Sequence, residues 1–251
     1  SVEGFEAKLQ LLRELYPGGA LESFLEEYKK AGYPPMSHSD RYKEHYAPSY
    51  RVVSSDFALY FPVFRDIEKL LEQKESVIVA IDGRSGSGKS TLAEHLHHVY
   101  GCPVISMDHF FLRPAQRTEE RLQEPGGNVD YERFGSEVIL KLQEREPFTY
   151  QIYNCQTGKF TPSPTIEPHP LIVVEGSYSH HPTLAKEYDF RVFLTISPEG
   201  QRERIFKRNG PAIAQRFFRE WIPLEELYFS TLKIREKSDL ALETEGDKYR
   251  P

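Results

Sequence analysis

The stretch Gly83-Arg84-Ser85-Gly86-Ser87-Gly88-Lys89-Ser90, followed by Thr91, decides the fold. It has a glycine, four free positions and then Gly-Lys-Ser, which is the pattern of the phosphate-binding P-loop. The β-branched run 77–81 before it predicts a buried strand, and Leu92, Leu96 and Val99 after it recur at helical spacing. A strand before and a helix after the loop are the context of a P-loop, so a chance glycine- and serine-rich surface loop is the weaker interpretation.

The residue types of this loop suit a triphosphate. Glycines allow the backbone to curl, so that several N–H groups and the positive end of the next helix converge on an anionic phosphate. We expect Lys89 to reach the β- and γ-phosphates and the Ser90 hydroxyl to ligate Mg²⁺. The stretch from Gly83 to Thr91 is therefore the predicted binding site for ATP, with Mg²⁺ as the second expected cofactor.

Composition limits the expected partners and compartment. The 251 residues carry a net charge of −6, which disfavours a nucleic-acid-binding surface because such a surface needs clustered Lys and Arg. Two cysteines, Cys102 and Cys155, are too few for a disulfide framework or a zinc site, which favours the reducing cytoplasm. No apolar run approaches the ~20 residues that span a bilayer, so no membrane partner is expected. A homo-oligomer is left open.

The sequence predicts two regions. Residues 1–75 carry apolar residues at helical spacing, except over 37–50, where the sequence is polar and aromatic and shows no helical period. They are predicted to be a helical extension whose role the sequence does not assign. From residue 76 to 251, strands and helices alternate. This alternation predicts an α/β fold of the P-loop NTPase type, with a doubly wound, mainly parallel sheet and helices on both faces.

Two predicted strands end on a carboxylate. The run 104–107 is followed by Asp108, and the run 171–174 is followed by Glu175. Open α/β sheets bind their ligands at the carboxyl ends of the strands. Glu175 is expected on the Mg²⁺ side of the site, directly or through water. For Asp108 the alternative is a helix N-cap.

A cation-rich helix is predicted to follow Ser197, an N-cap residue, and to end at Asn209-Gly210. It carries Arg202, Arg204, Lys207 and Arg208 within an acidic chain. We expect a lid around 198–209 that closes over the triphosphate, and the alternative is a solvated helix face. The other predicted elements are a helix over 131–143, a hairpin over 150–160, a strand over 190–196, a helix over 223–235 and a strand over 240–242.

Across residues 77–243 the chain resembles the uridine kinase family of P-loop nucleoside kinases. Besides the P-loop and the arginine-rich helix, the resemblance is carried by four segments in order: Ile105-Ser106-Met107-Asp108-His109-Phe110, Asn128-Val129-Asp130, Val174-Glu175-Gly176 and Lys237-Ser238-Asp239-Leu240-Ala241-Leu242. The resemblance implies ATP-dependent phosphorylation of a primary hydroxyl on a nucleoside or a nucleoside-like small molecule. Residues 1–75 have no counterpart in the family core.

The resemblance also implies catalytic roles. Asp108 would accept the proton of the acceptor hydroxyl, and Glu175 would lie on the Mg²⁺ side. Arg204 and Arg208, together with Lys89, would stabilise the transferring phosphoryl group.

The acceptor site departs from the family pattern. Asp130 would hold sugar hydroxyls, and Tyr150 matches an acceptor-site tyrosine. A histidine that helps to read the pyrimidine is replaced by Cys155, and a tyrosine after the catalytic aspartate is replaced by Phe111. The identity of the acceptor is therefore open.

Two other classes of function compete with a nucleoside kinase. One is a kinase of another small metabolite, such as pantothenate or a sugar phosphate. The other is a regulatory P-loop protein that binds a nucleoside triphosphate and switches a partner. A GTPase is disfavoured because the sequence contains no Asn-Lys-x-Asp motif for reading guanine.

Overall fold

The computed structural model describes residues 2–48 and 55–244. The chain divides into two compact units between Ser55 and Asp56. The predicted domain boundary at residue 75 stays a prediction. From Asp56 onward the helix Ser55–Leu71 belongs to the second unit, where Val63 and Ile67 lie in the core. Residues 49–54 and 245–251 of the two predicted regions lie outside the described ranges.

The first unit consists of the helices α1 (Val2–Leu15), α2 (Gly19–Lys30) and α3 (Asp40–Tyr46). Phe5 of α1 packs edge-to-face on Tyr33, with ring centroids 5.1 Å apart. Glu6 accepts a hydrogen bond from the Tyr33 hydroxyl at 2.7 Å and lies 2.7 Å from the Lys29 ammonium. The sequence showed no periodicity over α3, whose start is capped by the Ser39 hydroxyl.

The second unit is built on a parallel sheet. Its strands, with a separate antiparallel hairpin of β3 and β4, are β1 (Val77–Gly83), β2 (Val104–Ser106), β3 (Gln151–Asn154), β4 (Lys159–Pro162), β5 (Leu171–Glu175), β6 (Phe190–Thr195) and β7 (Leu240–Glu243). The order in the five-stranded sheet is β2-β5-β1-β6-β7. All four strand pairs of that sheet are parallel, so the carboxyl ends meet at one edge.

Helices connect and cover the strands. They are α4 (Ser55–Leu71), α5 (Lys89–Tyr100), α6 (Glu119–Gln123), α7 (Tyr131–Phe134), α8 (Leu140–Glu144), α9 (Pro182–Ala185), α10 (Pro198–Arg216), α11 (Ile222–Leu232) and α12 (Ile234–Lys237). Single π-helical segments, 135–139 and 217–221, join α7 to α8 and α10 to α11. Among the described residues, no helix is long and apolar enough to cross a membrane.

The strands are apolar without interruption because both faces of the sheet are covered. Leu171 and Val173 of β5 face a core that includes α4 and α5, whereas Ile172 and Val174 face the core that includes α7, α8 and α11. Alternate side chains of one strand point to opposite faces, so a two-sided sheet requires apolar residues at every position. The predicted doubly wound α/β fold is confirmed.

Gly210 interrupts α10. Its backbone has φ of 72° and ψ of 171°, which a helix cannot contain, and Pro211 follows. The chain resumes a helical path to Arg216 and returns through the π-helical segment into α11. The cation-rich helix therefore forms one arm of a helical hairpin, with the bend where the sequence predicted the end of the helix.

Candidate active site

The P-loop connects β1 to α5. Gly83, Gly86 and Gly88 have φ angles of 140°, 78° and 96°, which favour glycine over other residues. A Cβ atom on Gly83 would lie 1.9 Å from the carbonyl oxygen of Leu194 in β6. The glycine there is required both by the backbone conformation and by the close approach of β6.

The carbonyl groups of residues 83–87 are held from several sides. The Lys89 ammonium donates to the carbonyl oxygens of residues 83 and 84 at 2.8 and 3.1 Å. Gln201 donates to the oxygen of residue 85 at 2.9 Å, Arg204 to that of residue 86 at 3.2 Å, and the Thr244 hydroxyl to that of residue 87 at 2.6 Å. These bonds fix the loop, and a fixed loop is a preorganised anion site.

Glu175 connects the P-loop to the neighbouring strand end. Its carboxylate accepts hydrogen bonds from the Ser90 hydroxyl at 3.1 Å and from the Ser106 hydroxyl at 2.8 Å. Burial raises the pKa of the Glu175 carboxyl and the nearby Asp108 carboxylate raises it too, whereas the Ser106 hydrogen bond lowers it. Ser90, Glu175 and Asp108 are therefore brought together, as the strand ends predicted.

The oxygen atoms of this cluster suit Mg²⁺. That ion is usually bound through one or two carboxylates together with substrate phosphates and water. Ser90 and Glu175 supply a hydroxyl and a carboxylate 3.1 Å apart. Across residues 2–48 and 55–244, no three His, Cys, Asp or Glu side chains form a metal site of their own. Ser90 and Glu175 would be the protein ligands of an ion bound together with a nucleotide.

Asp108 lies in the 3₁₀ turn Met107–Phe110, directly after β2. Ser106, not Asp108, caps this turn, because its hydroxyl accepts from the backbone N–H of Asp108 at 3.3 Å. The residue is exposed at the carboxyl edge of the sheet. The N-cap alternative is wrong for Asp108, which lies inside the turn and is exposed, and whose charge raises the pKa of Glu175.

The predicted acceptor residues Asp130 and Tyr150 are both buried. Asp130 accepts from the Gln116 amide at 2.8 Å and from the backbone N–H of Arg133 at 3.1 Å. The Tyr150 hydroxyl lies 2.9 Å from Nδ1 of His109, and burial raises the pKa of that hydroxyl to about 12. Both side chains are thus fixed beside the turn that carries Asp108.

Phe111 and Cys155 also border this region. Phe111 is half-buried and forms an antiparallel bridge with Val129. Cys155 is an exposed free thiol in the turn between β3 and β4. Partial desolvation raises the pKa of this thiol, Arg117 lowers it and Asp108 raises it. The charges of Arg117 and Asp108 therefore both act at the tip of the hairpin.

Arg133 joins the hairpin to the Asp108 turn, a role that no pattern in the sequence predicts. Its guanidinium donates to the carbonyl oxygen of His109 at 2.6 Å and to that of Gln151 at 2.7 Å. It also lies 4.1 Å from the ring centroid of Phe110. Burial lowers the pKa of the Arg133 guanidinium. Its ion pairs with Glu137 and Asp130 raise that pKa and partly offset the effect of burial.

The arginine side chains of α10 contact different parts of the protein. Arg204 reaches the P-loop and donates to the carbonyl oxygen of Thr244 at 2.7 Å. Arg208 instead donates to the side chain of Asn209 at 3.0 Å and lies 5.8 Å from the ring centroid of Phe217. Arg202 lies 4.8 Å from the ring centroid of Phe218 across the hairpin. In this arrangement Arg204 supports the loop, and Arg208 contacts the other arm of the hairpin.

Asp82, at the end of β1, is a further site residue that sequence reasoning missed. It is fully buried and accepts from the N–H of Gly83 at 2.7 Å, from the N–H of His180 at 2.9 Å and from the Tyr228 hydroxyl at 2.9 Å. It thereby fixes the start of the P-loop. Its position directly before the loop is the sole signal that the sequence offers.

Comparisons with known proteins agree with this geometry. Among the solved structures that resemble the chain, two each give a TM-score of 0.53. One, from Bacillus stearothermophilus, is described provisionally as a uridine kinase, is 21% identical and covers 72% of this chain and 99% of its own. The other, from Silicibacter sp. TM1040, is described provisionally as a fructose transport system kinase, is 20% identical and covers 70% of this chain and 97% of its own. At these identities the likeness shows the fold alone.

The search among curated proteins gives no significant match. The model of the phosphoribulokinase/uridine kinase family matches residues 78–208, which contain the P-loop, Asp108, Asp130, Glu175 and Arg204. That range is more than half of the 251 residues. The resemblance noted in the sequence is therefore confirmed, and the chain belongs to the phosphoribulokinase/uridine kinase family of kinases.

Proposed function

We propose that this protein transfers the γ-phosphoryl group of Mg²⁺-ATP to a hydroxyl of a small molecule, in the first instance a nucleoside or a nucleoside-like acceptor. The observation that carries the proposal is the position of Glu175. Its carboxylate binds Ser90 of the P-loop and Ser106 of β2, and its pKa responds to Asp108. The predicted nucleotide, metal and acceptor groups therefore lie at one edge of the sheet.

Different residues contribute to different parts of the phosphoryl transfer. Lys89 and the loop from Gly83 to Thr91 bind the phosphates, and Arg204, with Arg208 after movement of the hairpin, adds positive charge. Asp108 orients the acceptor hydroxyl and takes its proton as the oxygen attacks phosphorus. Mg²⁺, when bound, neutralises charge on the phosphate oxygens.

The acceptor can be found with a panel of nucleosides, vitamin precursors and sugar phosphates. Each compound is incubated with the protein and Mg²⁺-ATP, and mass spectrometry detects an added phosphoryl group. One acceptor that gains a phosphoryl group at a rate proportional to the protein concentration supports the proposal. Release of free phosphate with every compound, and phosphorylation of none, would contradict it.

We expect uridine and cytidine to be poor substrates. A pocket that reads a base by hydrogen bonds rejects analogues by as much as ~10⁴-fold, because its buried polar groups are otherwise unpaired. The two polar side chains expected to hydrogen-bond the base are absent here. Cys155 has only a weakly donating thiol, and the side chain of Phe111 has no hydrogen-bond donor. Asp130 and Tyr150 can still bind a diol and a ring, so a hydroxyl-bearing acceptor with a less polar or differently patterned ring is preferred. A uridine specificity constant of about 10⁴ M⁻¹s⁻¹ or more would refute this expectation.

An anionic acceptor, such as a sugar phosphate or a carboxylate like pantothenate, is the second candidate. Two exposed arginines favour it. Arg117 acts on the Cys155 thiol, and Arg113 donates at 2.9 Å to the Gln116 side chain, which itself donates to Asp130. Their charges border the acceptor side, where a phosphate or carboxylate would gain a counter-charge. In the panel, a preference for phosphorylated sugars or carboxylates over neutral nucleosides would select this candidate.

Glu175→Gln is expected to act on the metal. The substitution keeps an oxygen near Ser90 but removes a negative charge from the expected Mg²⁺ side. We predict that the Mg²⁺ concentration for half-maximal activity rises about tenfold or more, while the KM of the acceptor changes little. Steady-state rates over a Mg²⁺ titration measure this effect. An unchanged Mg²⁺ dependence with a raised acceptor KM would contradict the metal-binding role and assign Glu175 to binding of the acceptor.

A further inference from the structure

A buried carboxylate that this mechanism does not use lies against the P-loop. Glu225, in α11, is 4% exposed. It accepts hydrogen bonds from the backbone N–H of Ser85 at 3.0 Å, from the Ser85 hydroxyl, and from the Ser177 hydroxyl at 2.9 Å. Ser85 belongs to the P-loop, and Ser177 follows Glu175 by two residues. The carboxylate therefore contacts both segments that form the site.

Placing Glu225 here is costly. A buried carboxylate needs hydrogen bonds and a counter-charge, and a negative charge near an anion site opposes the binding of a triphosphate. Burial raises the pKa of the Glu225 carboxyl, whereas Lys89 and the hydrogen bonds from Ser85 and Ser177 lower it. The hydrogen bond to Glu225 fixes the direction of the Ser85 N–H.

The same helix holds the preceding loop residue. Arg84 forms a two-point ion pair with Glu226, at 2.7 and 3.1 Å. Consecutive carboxylates of α11 thus bind consecutive residues of the P-loop. α11 continues from the helical hairpin that carries Arg204. The first half of the P-loop is therefore bound by α11 and is also contacted by Arg204 of the same hairpin.

We propose that Glu225 is a positioning residue of the nucleotide site, which acts through Ser85 to hold the first half of the P-loop in the conformation that receives the β- and γ-phosphates. This inference rests on the proposed function. Because Ser85 directs its N–H to the carboxylate, the following residues 86–90 are left to cradle the phosphates. Loss of the carboxylate leaves the half-buried N–H of Ser85 without its acceptor and frees this segment of the loop, which weakens phosphate binding.

The test is calorimetric binding of nucleotides to purified, full-length protein. The ligands are a non-hydrolysable ATP analogue with Mg²⁺ and, separately, AMP, which lacks the β-phosphate that a P-loop binds. We expect Glu225→Ala to weaken binding of the ATP analogue about 10- to 100-fold, because the N–H and hydroxyl of Ser85 both lose their charged acceptor. Glu225→Gln keeps one acceptor oxygen and restores most of the affinity. AMP affinity stays within about threefold in both variants.

Glu236→Gln is the matched control, because Glu236 is exposed in α12 and its loss changes the net charge equally. It is expected to bind as the wild type does. Circular dichroism and thermal unfolding check the fold of each variant. If Glu225→Ala does not fold, Glu225→Asp replaces it, because a side chain one methylene shorter cannot reach Ser85 and Ser177 together. A loss of ATP-analogue affinity at unchanged AMP affinity then supports the inference, and wild-type affinity for both ligands overturns it.

Two results would overturn the inference alone. One is a folded Glu225→Ala variant that binds the ATP analogue with wild-type affinity, and the other is an equal loss of affinity for the ATP analogue and AMP. A wild-type protein that binds no triphosphate would overturn the proposed function, and the inference with it. The two failures are therefore distinguishable.

Discussion

Lys89→Ala is expected to lower the rate of phosphoryl transfer by about 10²-fold or more and to leave the fold intact. The ammonium is the positive group that a P-loop brings to the β- and γ-phosphates. Here it donates to the carbonyl oxygens of Gly83 and Arg84, so it lies within the loop and outside the apolar cores. Lys89 begins α5, and alanine is a good helix former, so the helix should persist.

The measurement is the turnover rate with Mg²⁺-ATP and the acceptor that the panel identifies, together with the unfolding temperature. Lys141→Ala is a matched control, because Lys141 lies in α8, where its partner is the exposed Glu144. The control should retain wild-type turnover. Transfer within tenfold of wild type by a folded Lys89→Ala variant would remove the P-loop lysine from the mechanism.

Asp108→Asn is expected to lower kcat by about 10²- to 10⁴-fold, with little effect on ATP binding. The carboxylate is exposed after β2, and its charge acts on the Cys155 thiol at the tip of the hairpin, on the side where the acceptor is proposed to bind. Asparagine has the same shape but cannot take a proton from a hydroxyl. Turnover should therefore fall while the dissociation constant of the nucleotide stays within a few fold.

Separate measurements of kcat and of nucleotide affinity decide the role of Asp108. Asp66→Asn is the control, since Asp66 binds Arg65 and Lys69 on the exposed side of α4. Normal turnover combined with weakened Mg²⁺-ATP affinity in Asp108→Asn would assign Asp108 to the metal. A parallel loss in the control would show a general effect of removing a negative charge.

The sequence predicted the parts of the site that depend on local patterns. The P-loop, the strand before it and the helix after it are consecutive in the chain. Asp108 and Glu175 were found because each follows an apolar run, and parallel strands bring such positions to one edge. The order β2-β5-β1 then places Glu175 between the P-loop and Ser106.

The residues that position the site could not be predicted, because their partners are distant in the chain. Glu225 lies in an amphipathic helix, where a charged residue is expected to face solvent, yet it is buried against Ser85. Arg133 links backbone carbonyls of the Asp108 turn and the hairpin. α3 was missed for another reason: its side chains have no buried face, so it shows no apolar period.

The fate of the γ-phosphoryl group distinguishes a kinase from a protein that only hydrolyses the nucleotide. The protein is incubated with ATP labelled in that group, Mg²⁺ and the acceptor selected by the panel, and labelled product and labelled free phosphate are separated and counted. The proposed phosphoryl transfer predicts one labelled acceptor molecule for each ADP formed, with little free phosphate. ADP formed together with an equal amount of free phosphate, and no labelled acceptor, would contradict it and favour a regulatory nucleotide-hydrolysing protein.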